Sequence, residues 1–487
     1  MIKIDAIYGT LDKTAGSFYT PASIAEAIVD IAGYKGASIT GKRVIDPACG
    51  DGALLAPICC RLIQACRDAG VAESQIPLML ADYIYAYELD ETEMAKAKIR
   101  VVEEAASLGV SLTLDQLVNF HIGDAFDLYG DGIGSFDYVI GNPPYVRIHN
   151  LETKPCSRYV EGMCDLYYGF FDLGQQLLSP HGTLCFIAPS SWFTAKAGRL
   201  MREDLKERSV ISAVCDFGHF EVFAPYAMTY TAIVKIEASP SSTVALYGYE
   251  DLGGGENGAV GEVRVSKRNT VDQKRVWVNG LFMPGSPEWM ESALNASGDV
   301  RVLNGYATNL DQVFMSSKPR FAGSPYEHKC VKASRCDKRY MVYPYDKDGD
   351  LVPFDEIRNT SADVADLLEN NKDRLLSRTQ VSSERWWCFA RSQGIADTFH
   401  DKVAMQSLVK PGVPVKVASA PAGTGVYGGV YVLGMNENDV EKAVNSDEFF
   451  AYAAALRKYK NGGYYALGGK DIEHFLNWWQ VRKNEKN

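Results

Sequence analysis

Short apolar runs alternate with longer stretches of helical periodicity along the first half of the chain. Strands are predicted within residues 43–55, 83–90, 119–126 and 136–145, and then over 183–189, 210–217 and 228–236. Helices are predicted between them, over 91–106, 165–178 and 197–208. Because strands that alternate with helices form parallel sheets covered on both faces, the pattern predicts an α/β fold with a mostly parallel sheet.

A further helix is predicted to begin at Thr20, ahead of the first strand. Apolar residues recur there at helical spacing from Ile24 to Ile31. Thr20 suits the N-cap, Pro21 the first helical position and Gly33 the C-terminal cap. Such a helix would point free backbone N–H groups and the Thr20 hydroxyl at whatever lies in front of it.

The character of the sequence changes near residue 239. The segments 239–242 and 253–258 are rich in serine or glycine and are typical of linkers. Beyond them the predicted elements are short and mixed, and aromatic residues are frequent. We therefore predict an α/β domain over 1–245, a connecting segment over 246–299 and a mixed α+β domain over 300–487.

Composition adds further limits. A chain of 487 residues is too long for one core, which agrees with several domains. The eleven cysteines are scattered without a Cys-x-x-Cys pair, so we predict reduced thiols, no metal site and a cytoplasmic protein. No apolar run is long enough to cross a membrane, and the N-terminal sequence lacks the apolar core of a signal peptide.

The formal net charge of −11 argues against a polyanionic partner, but a binding cleft needs only local basicity. Basic residues are concentrated between positions 318 and 339, with only two acidic residues among them. A basic binding surface and a solvated surface of mixed charge are both compatible with this segment.

The most distinctive stretch is the loop Asn142-Pro143-Pro144-Tyr145, which interrupts an apolar strand. Prolines donate no backbone hydrogen bond and therefore stop the strand, and Pro143 holds the preceding Asn142 extended. The loop presents an amide, the Pro143 carbonyl and an aromatic ring at the carboxyl end of a strand, where open α/β sheets bind ligands. Taken alone, it could equally be a turn with a packed tyrosine.

A loop of small residues follows the first strand. Gly50 and Gly52 would let its backbone bend tightly and approach a ligand. The loop has neither the lysine of a triphosphate-binding loop nor the glycine spacing of a dinucleotide-binding loop. Asp46 is predicted to face this loop, which suits a ligand that carries a cationic group.

Acidic residues also end the next two strands. Glu88 could accept hydrogen bonds from a ribose diol, and Asp124 could accept one from an exocyclic amine. Each acid taken singly is more commonly a surface or capping residue. Their shared position after successive strands favours a common ligand site.

These motifs, in this order, resemble the γ class of amino-group DNA methyltransferases, the TaqI-like N6-adenine enzymes. The resemblance covers residues 16–236 and is carried by Phe18-Tyr19-Thr20-Pro21, Asp46 to Gly52, Glu88, Asp124, Asn142 to Tyr145, and Glu221-Val222-Phe223. It implies a Rossmann-like catalytic domain over 1–245 that uses S-adenosyl-L-methionine. Residues 300–487 resemble the target-recognition domain of this class in placement.

The resemblance also implies the residues that bind the cofactor. They are Tyr19, Thr20, Asp46, Ala48, Cys49, Gly50, Gly52, Glu88, Asp124, Ala125, Phe126 and Asn142. Asp46 corresponds to the contact with the methionine ammonium, Glu88 to the ribose ligand and Asp124 to the acceptor for the adenine amine. The prototype has an aromatic residue directly after that acid. Here Ala125 stands at that position, and the aromatic residue, Phe126, follows one position later.

The catalytic residues implied are Asn142, Pro143, Pro144 and Tyr145. A flipped-out adenine would donate hydrogen bonds from its amine to the Asn142 side-chain oxygen and the Pro143 carbonyl. Tyr145 and Phe223 would stack on its two faces, and Phe220 or Tyr226 could replace Phe223.

Double-stranded DNA is the partner that this resemblance implies. Candidate DNA contacts are Arg320, Lys332, Arg335, Arg339, Arg378, Arg385 and Arg391. The expected protein is a sequence-specific adenine-N6 methyltransferase, either the modification enzyme of a restriction-modification system or an orphan. We expect a monomer, with any cognate endonuclease on a separate chain because few residues precede Phe18.

Other functions remain open on the sequence. A protein-glutamine or RNA N-methyltransferase could use the same loop, but the long basic and aromatic second half favours DNA. N4-cytosine methylation is chemically possible because the loop would accept any amine. A catalytically inactive DNA-binding module is disfavoured by the intact Asn142–Tyr145 loop and by Gly50 and Gly52.

Overall fold

The alternation of apolar runs and helical segments folds into one nine-stranded sheet with helices between its strands. The structure is a computed structural model that describes residues 20–130, 133–151, 155–223, 229–253, 261–379 and 381–485. The chain separates into two units, Met1–Gly285 and Ser286–Asn487, and the nine-stranded sheet belongs to the first.

The strands of this sheet are β1 (Val44–Asp46), β2 (Ile84–Glu88), β3 (Phe120–Ile122), β4 (Phe136–Gly141), β5 (Leu178–Pro189), β6 (Ile211–Asp216), β7 (Thr231–Glu237), β8 (Thr243–Gly253) and β9 (Glu262–Asp272). Their order is β3-β2-β1-β4-β5-β7-β6-β8-β9. Neighbours from β3 to β5 are parallel, as are β6 and β8, whereas β7 is antiparallel to both its neighbours and β9 to β8. The predicted mostly parallel α/β sheet is confirmed.

The helices of the first unit are α1 (Ala22–Ala32), α2 (Leu55–Asp68), α3 (Ile76–Tyr83), α4 (Glu91–Ser107), α5 (Tyr167–Leu177) and α6 (Arg199–Arg208). One buried cluster includes Ile28 of α1, Leu62 of α2 and Val101 of α4. A second includes Phe171 of α5 and Leu205 of α6. The sheet therefore contributes to two apolar cores, and these cores hold its strands and the loops at their ends in place. Two short strands, β10 (Trp277–Val278) and β11 (Leu281–Phe282), complete this unit.

The ends of α1 agree only in part with the sequence. Gly33 has φ of 79° and donates its N–H to the Asp30 carbonyl at 3.1 Å, so the predicted C-terminal cap is confirmed. The predicted N-cap at Thr20 is wrong, because the helix begins at Ala22 and Pro21 is the capping residue. The Thr20 hydroxyl is instead engaged with the strand-end loop described below.

The predicted connecting segment over 246–299 also needs correction. Most of β8 and all of β9 fall within it, and they pair antiparallel from Thr243 with Asp272 to Gly253 with Glu262. β8 in turn pairs with β6, so this hairpin extends the first sheet. The first unit therefore reaches Gly285 instead of ending at residue 245.

The second unit mixes short strands and helices. Its strands are β12 (Arg301–Asn304), β13 (Met315–Ser316), β14 (Glu327–Lys332), β15 (Asp337–Val342), β16 (Lys402–Met405), β17 (Leu408–Val409), β18 (Val417–Ala420), β19 (Gly425–Tyr427), β20 (Val430–Leu433), β21 (Tyr459–Lys460) and β22 (Tyr464–Ala466). Its helices are α7 (Met290–Leu294), α8 (Asp311–Phe314), α9 (Phe354–Thr360), α10 (Ala362–Glu369), α11 (Lys372–Leu376), α12 (Glu437–Val444), α13 (Asp447–Leu456) and α14 (Gly469–Glu485). The strands form three sheets, and an aromatic core that includes Tyr306, Tyr343 and Phe389 accounts for the many aromatic residues in the sequence.

Candidate active site

The loops after β1, β2 and β4 meet at one edge of the sheet, as their shared position in the sequence predicts. The Gly50 N–H donates to a Glu88 carboxylate oxygen at 2.9 Å, which joins the β1 loop to the end of β2. The loop after β3 is joined by the Gly123 N–H, which donates to the Glu88 carbonyl at 2.9 Å. The β4 loop reaches the segment ahead of α1 through Asn142 and Thr20.

The two glycines of the β1 loop have different reasons to be glycine. Gly50 has φ of 54°, and a Cβ added there would meet no described atom within 4 Å. Gly52 has φ of 82°, and its Cβ would lie 2.8 Å from the Cα of Ala97 in α4. Gly52 therefore lets the loop close onto α4, whereas Gly50 turns the backbone so that its N–H reaches Glu88.

Glu88 is fixed by three backbone amides. One of its oxygens accepts from Gly50, and the other accepts from Leu89 at 2.9 Å and Asp90 at 3.0 Å. Burial raises the pKa of the Glu88 carboxyl above its ordinary value, and the three N–H groups oppose this. Since a carboxylate has about four acceptor positions, a diol would find remaining capacity mainly on the oxygen that faces Gly50.

Asp46 is the buried last residue of β1, and its carboxylate turns toward the loop that follows. The residue is 1% exposed, and one carboxylate oxygen accepts from the Ala48 N–H at 3.1 Å. A Cβ on Gly141 of β4 would lie 3.1 Å from that oxygen, so a glycine before Asn142 lets β4 pass close to the acid. Burial raises the Asp46 pKa to about 8, helped by repulsion from the Glu88 carboxylate and opposed by the Ala48 N–H. A nearby cation would favour the charged form of this acid.

The side-chain amide of Asn142 is held by two hydroxyl groups. Its nitrogen Nδ2 donates to Thr20 Oγ1 at 3.2 Å. Its oxygen Oδ1 accepts from the Tyr145 hydroxyl at 2.8 Å, and that hydroxyl also lies 3.4 Å from the Ile187 carbonyl of β5. The structure thus brings Thr20, Asn142 and Tyr145 together, with the Asn142 amide bonded to both neighbours.

Phe223 lies beside Tyr145, as expected for the second aromatic of the site. The ring centroids are 6.0 Å apart, and the planes meet at 71°. Phe223 is 2% exposed, so a base stacked on both rings would require them to turn parallel. Phe220 packs instead on Phe217 and Tyr249, at 6.4 Å and 5.1 Å between centroids, which disfavours it as the alternative. Two predicted residues, Tyr226 and the cofactor candidate Tyr19, lie outside the described residues.

Asp124 and Phe126 form the start of the loop after β3. One Asp124 oxygen accepts from the Phe126 N–H at 2.9 Å, and Ala125 between them is buried. The Phe126 ring stacks near Tyr129 at 6.0 Å and meets Phe170 of α5 edge to face at 4.9 Å. Phe126 therefore packs against α5 in this structure, at the margin of the site.

A buried acid next to this loop was missed by the sequence analysis. Asp172, on the mostly apolar α5, is fully buried and accepts from the Tyr129 hydroxyl at 3.3 Å. It also accepts from Ser157 Oγ at 3.0 Å and from the Arg158 side chain at 2.8 Å. Asp172 thus ties the chain that follows the Asn142–Tyr145 loop to α5. An aspartate in the middle of a mostly apolar helical run is the signal that could have revealed it, because buried acids are almost always paired.

Among the predicted DNA contacts, Arg378 is wrong. The residue is 8% exposed, and its guanidinium donates to the carbonyls of Leu375, Thr308 and Trp386 at 2.9, 2.8 and 2.7 Å. Burial lowers its pKa, which shows the cost of placing this charge inside the unit. Arg378 is a structural residue because its bonds join the end of α11 to the backbone at Thr308 and Trp386.

The remaining candidate cations are either bonded to protein groups or exposed. Arg320 donates to the Val313 carbonyl at 2.7 Å, Arg339 pairs with Asp337 at 2.7 Å, and Lys332 lies 3.9 Å from Asp311. Arg335, Arg385 and Arg391 are exposed, and their guanidinium groups make no ion pair with a described residue. The second group is the better placed to meet a polyanion.

Neither a cluster of metal ligands nor a membrane-spanning helix is present among the described residues. No group of three or more potential metal ligands converges there. None of the helices in this part of the chain is long and apolar enough to cross a membrane.

The arrangement of loops can be compared with known proteins. Residues 85–223, which include β2 to β6 and the Asn142–Tyr145 loop, match the profile of the Eco57I restriction-modification methylase family. Over these residues the chain is similar to that family. The resemblance inferred from the motifs is therefore confirmed for this part of the chain.

Curated relatives of this chain include type II methyltransferases. The type II methyltransferase M.XhoI of Xanthomonas vasicola is 30% identical over 230 residues, which cover 46% of this chain and 42% of that protein. M.PaeR7I of Pseudomonas aeruginosa is 28% identical over 236 residues, with coverage of 46% and 40%. The chain thus spans about two fifths of the length of these relatives.

The fold has a counterpart among solved structures. The type IIL restriction-modification enzyme MmeI, solved in complex with DNA, gives a TM-score of 0.54 at 12% identity. The match covers 95% of this chain and 72% of that one. At this identity the likeness concerns the fold alone.

Proposed function

We propose that the protein is an S-adenosyl-L-methionine-dependent DNA methyltransferase that acts on the N6 amine of a flipped-out adenine. The carrying observation is the Asn142 amide, held by Thr20 and Tyr145 at the end of β4, beside the Gly50–Glu88 contact at the end of β1 and β2. The match of residues 85–223 to a restriction-modification methylase family supports the same reaction.

The donor set fits the proposed cofactor. Glu88 is a fixed acceptor suited to a ribose diol, and Gly50 in the adjoining loop presents no side chain. Asp46, whose pKa of about 8 reflects burial, would become charged beside a methionine ammonium or sulfonium. When bound, S-adenosyl-L-methionine supplies an electrophilic methyl group.

The protein's own part in the reaction is to prepare the amine. Its lone pair is delocalised into the base, so hydrogen bonds from its two N–H groups to Asn142 Oδ1 and the Pro143 carbonyl would draw the nitrogen toward tetrahedral geometry. Both acceptors come from a loop whose two prolines restrict its backbone, so positioning supplies much of the acceleration. No covalent nucleophile is needed.

Stacking would hold the extruded base. The Tyr145 ring is one face, and Phe223, 6.0 Å away, is the proposed other face once the rings align. Each base–aromatic contact is worth about 1–3 kcal/mol, which helps to offset the cost of unpairing.

We propose that the second unit recognises the DNA site. The exposed Arg335, Arg385 and Arg391 are its candidate contacts, whereas Arg378 is excluded from that role by its burial. Neutralising phosphates releases counterions, so affinity for DNA should fall steeply with salt.

The test is to sequence DNA from cells that express the protein with a single-molecule method that reports modified bases. We expect 6-methyladenine in one sequence context with the wild type, and none with Asn142→Ala. The control Asn150→Ala removes an exposed asparagine just beyond the same loop and should retain the modification. Asn142→Ala should still bind S-adenosyl-L-methionine by calorimetry.

Two results would overturn the proposal. Full modification by Asn142→Ala would contradict the mechanism, because the Asn142 side chain would then not be needed as an acceptor for the adenine amine. Unmodified DNA, together with methylated RNA or glutamine in protein, would instead favour the alternative N-methyltransferase functions that share this loop.

A further inference from the structure

The orientation of the Asn142 amide is a structural feature that the proposed reaction depends on. Nδ2 donates to Thr20 Oγ1 at 3.2 Å, and Oδ1 accepts from the Tyr145 hydroxyl at 2.8 Å. The two ends of a carboxamide have nearly the same shape but opposite hydrogen-bonding character. Turned by half a rotation, Asn142 would present a donor to the amine of the base, and no hydrogen bond could form.

The surroundings favour one of these two orientations. In the reversed one, the Tyr145 hydroxyl would have to accept from Nδ2 and send its hydrogen toward the Ile187 carbonyl, which is 3.4 Å away. A good bond of 2.8 Å would be exchanged for a long one. Thr20 contributes from the other side, because its oxygen accepts from Nδ2, and in the reversed orientation its hydroxyl would have to turn and donate to Oδ1 instead.

Thr20 is well anchored for this purpose. The residue is 8% exposed and lies 122 positions before Asn142, just ahead of α1. Ser23 in the first turn of α1 donates to the Gly261 carbonyl at 3.2 Å, and Ile24 and Ile28 are fully buried. The Thr20 hydroxyl is therefore presented by a rigid element. It does not cap the helix, although the sequence predicts that it would.

We propose that Thr20 is a positioning residue for Asn142, in addition to any contact it makes with the cofactor. Its hydroxyl holds Nδ2 so that Oδ1 faces the amine to be methylated. The inference rests on the proposed function and deepens it, because it assigns to Thr20 an effect on the chemical step.

The experiment compares Thr20→Val, which keeps the shape and removes the hydroxyl, with Thr20→Ser, which keeps the hydroxyl. Single-turnover methyl transfer is measured with unmethylated DNA that contains the target sequence identified by sequencing. S-adenosyl-L-methionine is kept at saturation. We expect Thr20→Val to be slower by roughly three- to tenfold, the net worth of one neutral hydrogen bond, and Thr20→Ser to stay near the wild-type rate.

A second readout separates positioning from general damage. Binding is compared between DNA with adenine at the target position and DNA with purine, which lacks the amine, in the presence of S-adenosylhomocysteine. The cost of opening each pair is the same for all variants and cancels in the comparison. Thr20→Val should lose part of the preference for adenine relative to the wild type, whereas Thr20→Ser should keep it.

The outcomes are distinguishable. If the wild type does not methylate DNA, the proposed function fails and the inference fails with it. If the wild type is active and Thr20→Val has a normal rate at saturation with weaker cofactor binding, Thr20 is only a cofactor ligand. If Thr20→Val binds both DNAs equally less well, with the preference for adenine intact, its role is merely structural.

Discussion

Replacing Asp46 by asparagine should spare the first unit a loss of stability that the wild type suffers as the pH rises. Burial raises the Asp46 pKa from 3.8 to about 8. Between these values the folded protein holds a proton that the unfolded chain has lost, so wild-type stability falls by about 1.4 kcal/mol per pH unit. From pH 5 to pH 8 the acid therefore costs about 4 kcal/mol that asparagine would not.

The assay is urea denaturation at pH 5 and pH 8, followed by hydrogen exchange in peptides from β1 and β4 so that it reports on the first unit. The stability of Asp46→Asn relative to the wild type should rise by about 4 kcal/mol over this range. The asparagine side chain would keep the acceptor for the Ala48 N–H but lose the charge, so binding of S-adenosyl-L-methionine at pH 8 should weaken.

A matched control is Asp51→Asn in the same loop. Asp51 pairs with Arg100 at 2.6 Å, so its replacement should give no such gain at high pH. Parallel stability curves for the wild type and Asp46→Asn from pH 5 to pH 8 would refute the reasoning, since they would mean that Asp46 is charged in the folded state throughout.

Three further predictions concern packing and the second unit. Gly52→Ala should lower stability by about 2–4 kcal/mol in thermal unfolding, because φ is 82° and the new Cβ would lie 2.8 Å from the Ala97 Cα, whereas Gly50→Ala should cost about 1–2 kcal/mol; equal effects would contradict the crowding argument. Arg378→Met should destabilise the second unit by about 3 kcal/mol by leaving carbonyls unpaired. Arg391→Met should leave stability unchanged and reduce the salt dependence of DNA binding by about one counterion; a normal salt slope would remove Arg391 as a phosphate contact.

Much of the first unit could be predicted because its signals are local. Apolar runs that end in Asp46, Glu88 and Asn142 mark the carboxyl ends of parallel strands, and such ends meet at one edge of a sheet. The glycine cap at Gly33 follows from chain geometry at a single position. These features need no knowledge of distant contacts.

The errors arose where tertiary contacts decide. Nothing near Thr20 in the sequence indicates a hydrogen bond to a residue 122 positions away, so the local rule assigned it as a helix cap. Nothing in the sequence distinguishes Arg378 from Arg391 as a candidate DNA contact. Only the fold buries Arg378 inside the second unit and leaves Arg391 exposed. The glycine-rich sequence that follows β8 is typical of a linker, but β8 and β9 on its two sides pair with each other.

The β8–β9 hairpin has a consequence for anyone who recombines such proteins. Gly261, next to β9, accepts the hydrogen bond from Ser23 of α1, and Val263 of β9 belongs to the same core as Ile24 and Ile28. A chimera joined near residue 245 would bring a foreign chain where this hairpin braces the helix behind Thr20. If the second unit recognises DNA as proposed, a graft that exchanges it should therefore be spliced after Gly285, where the first unit ends.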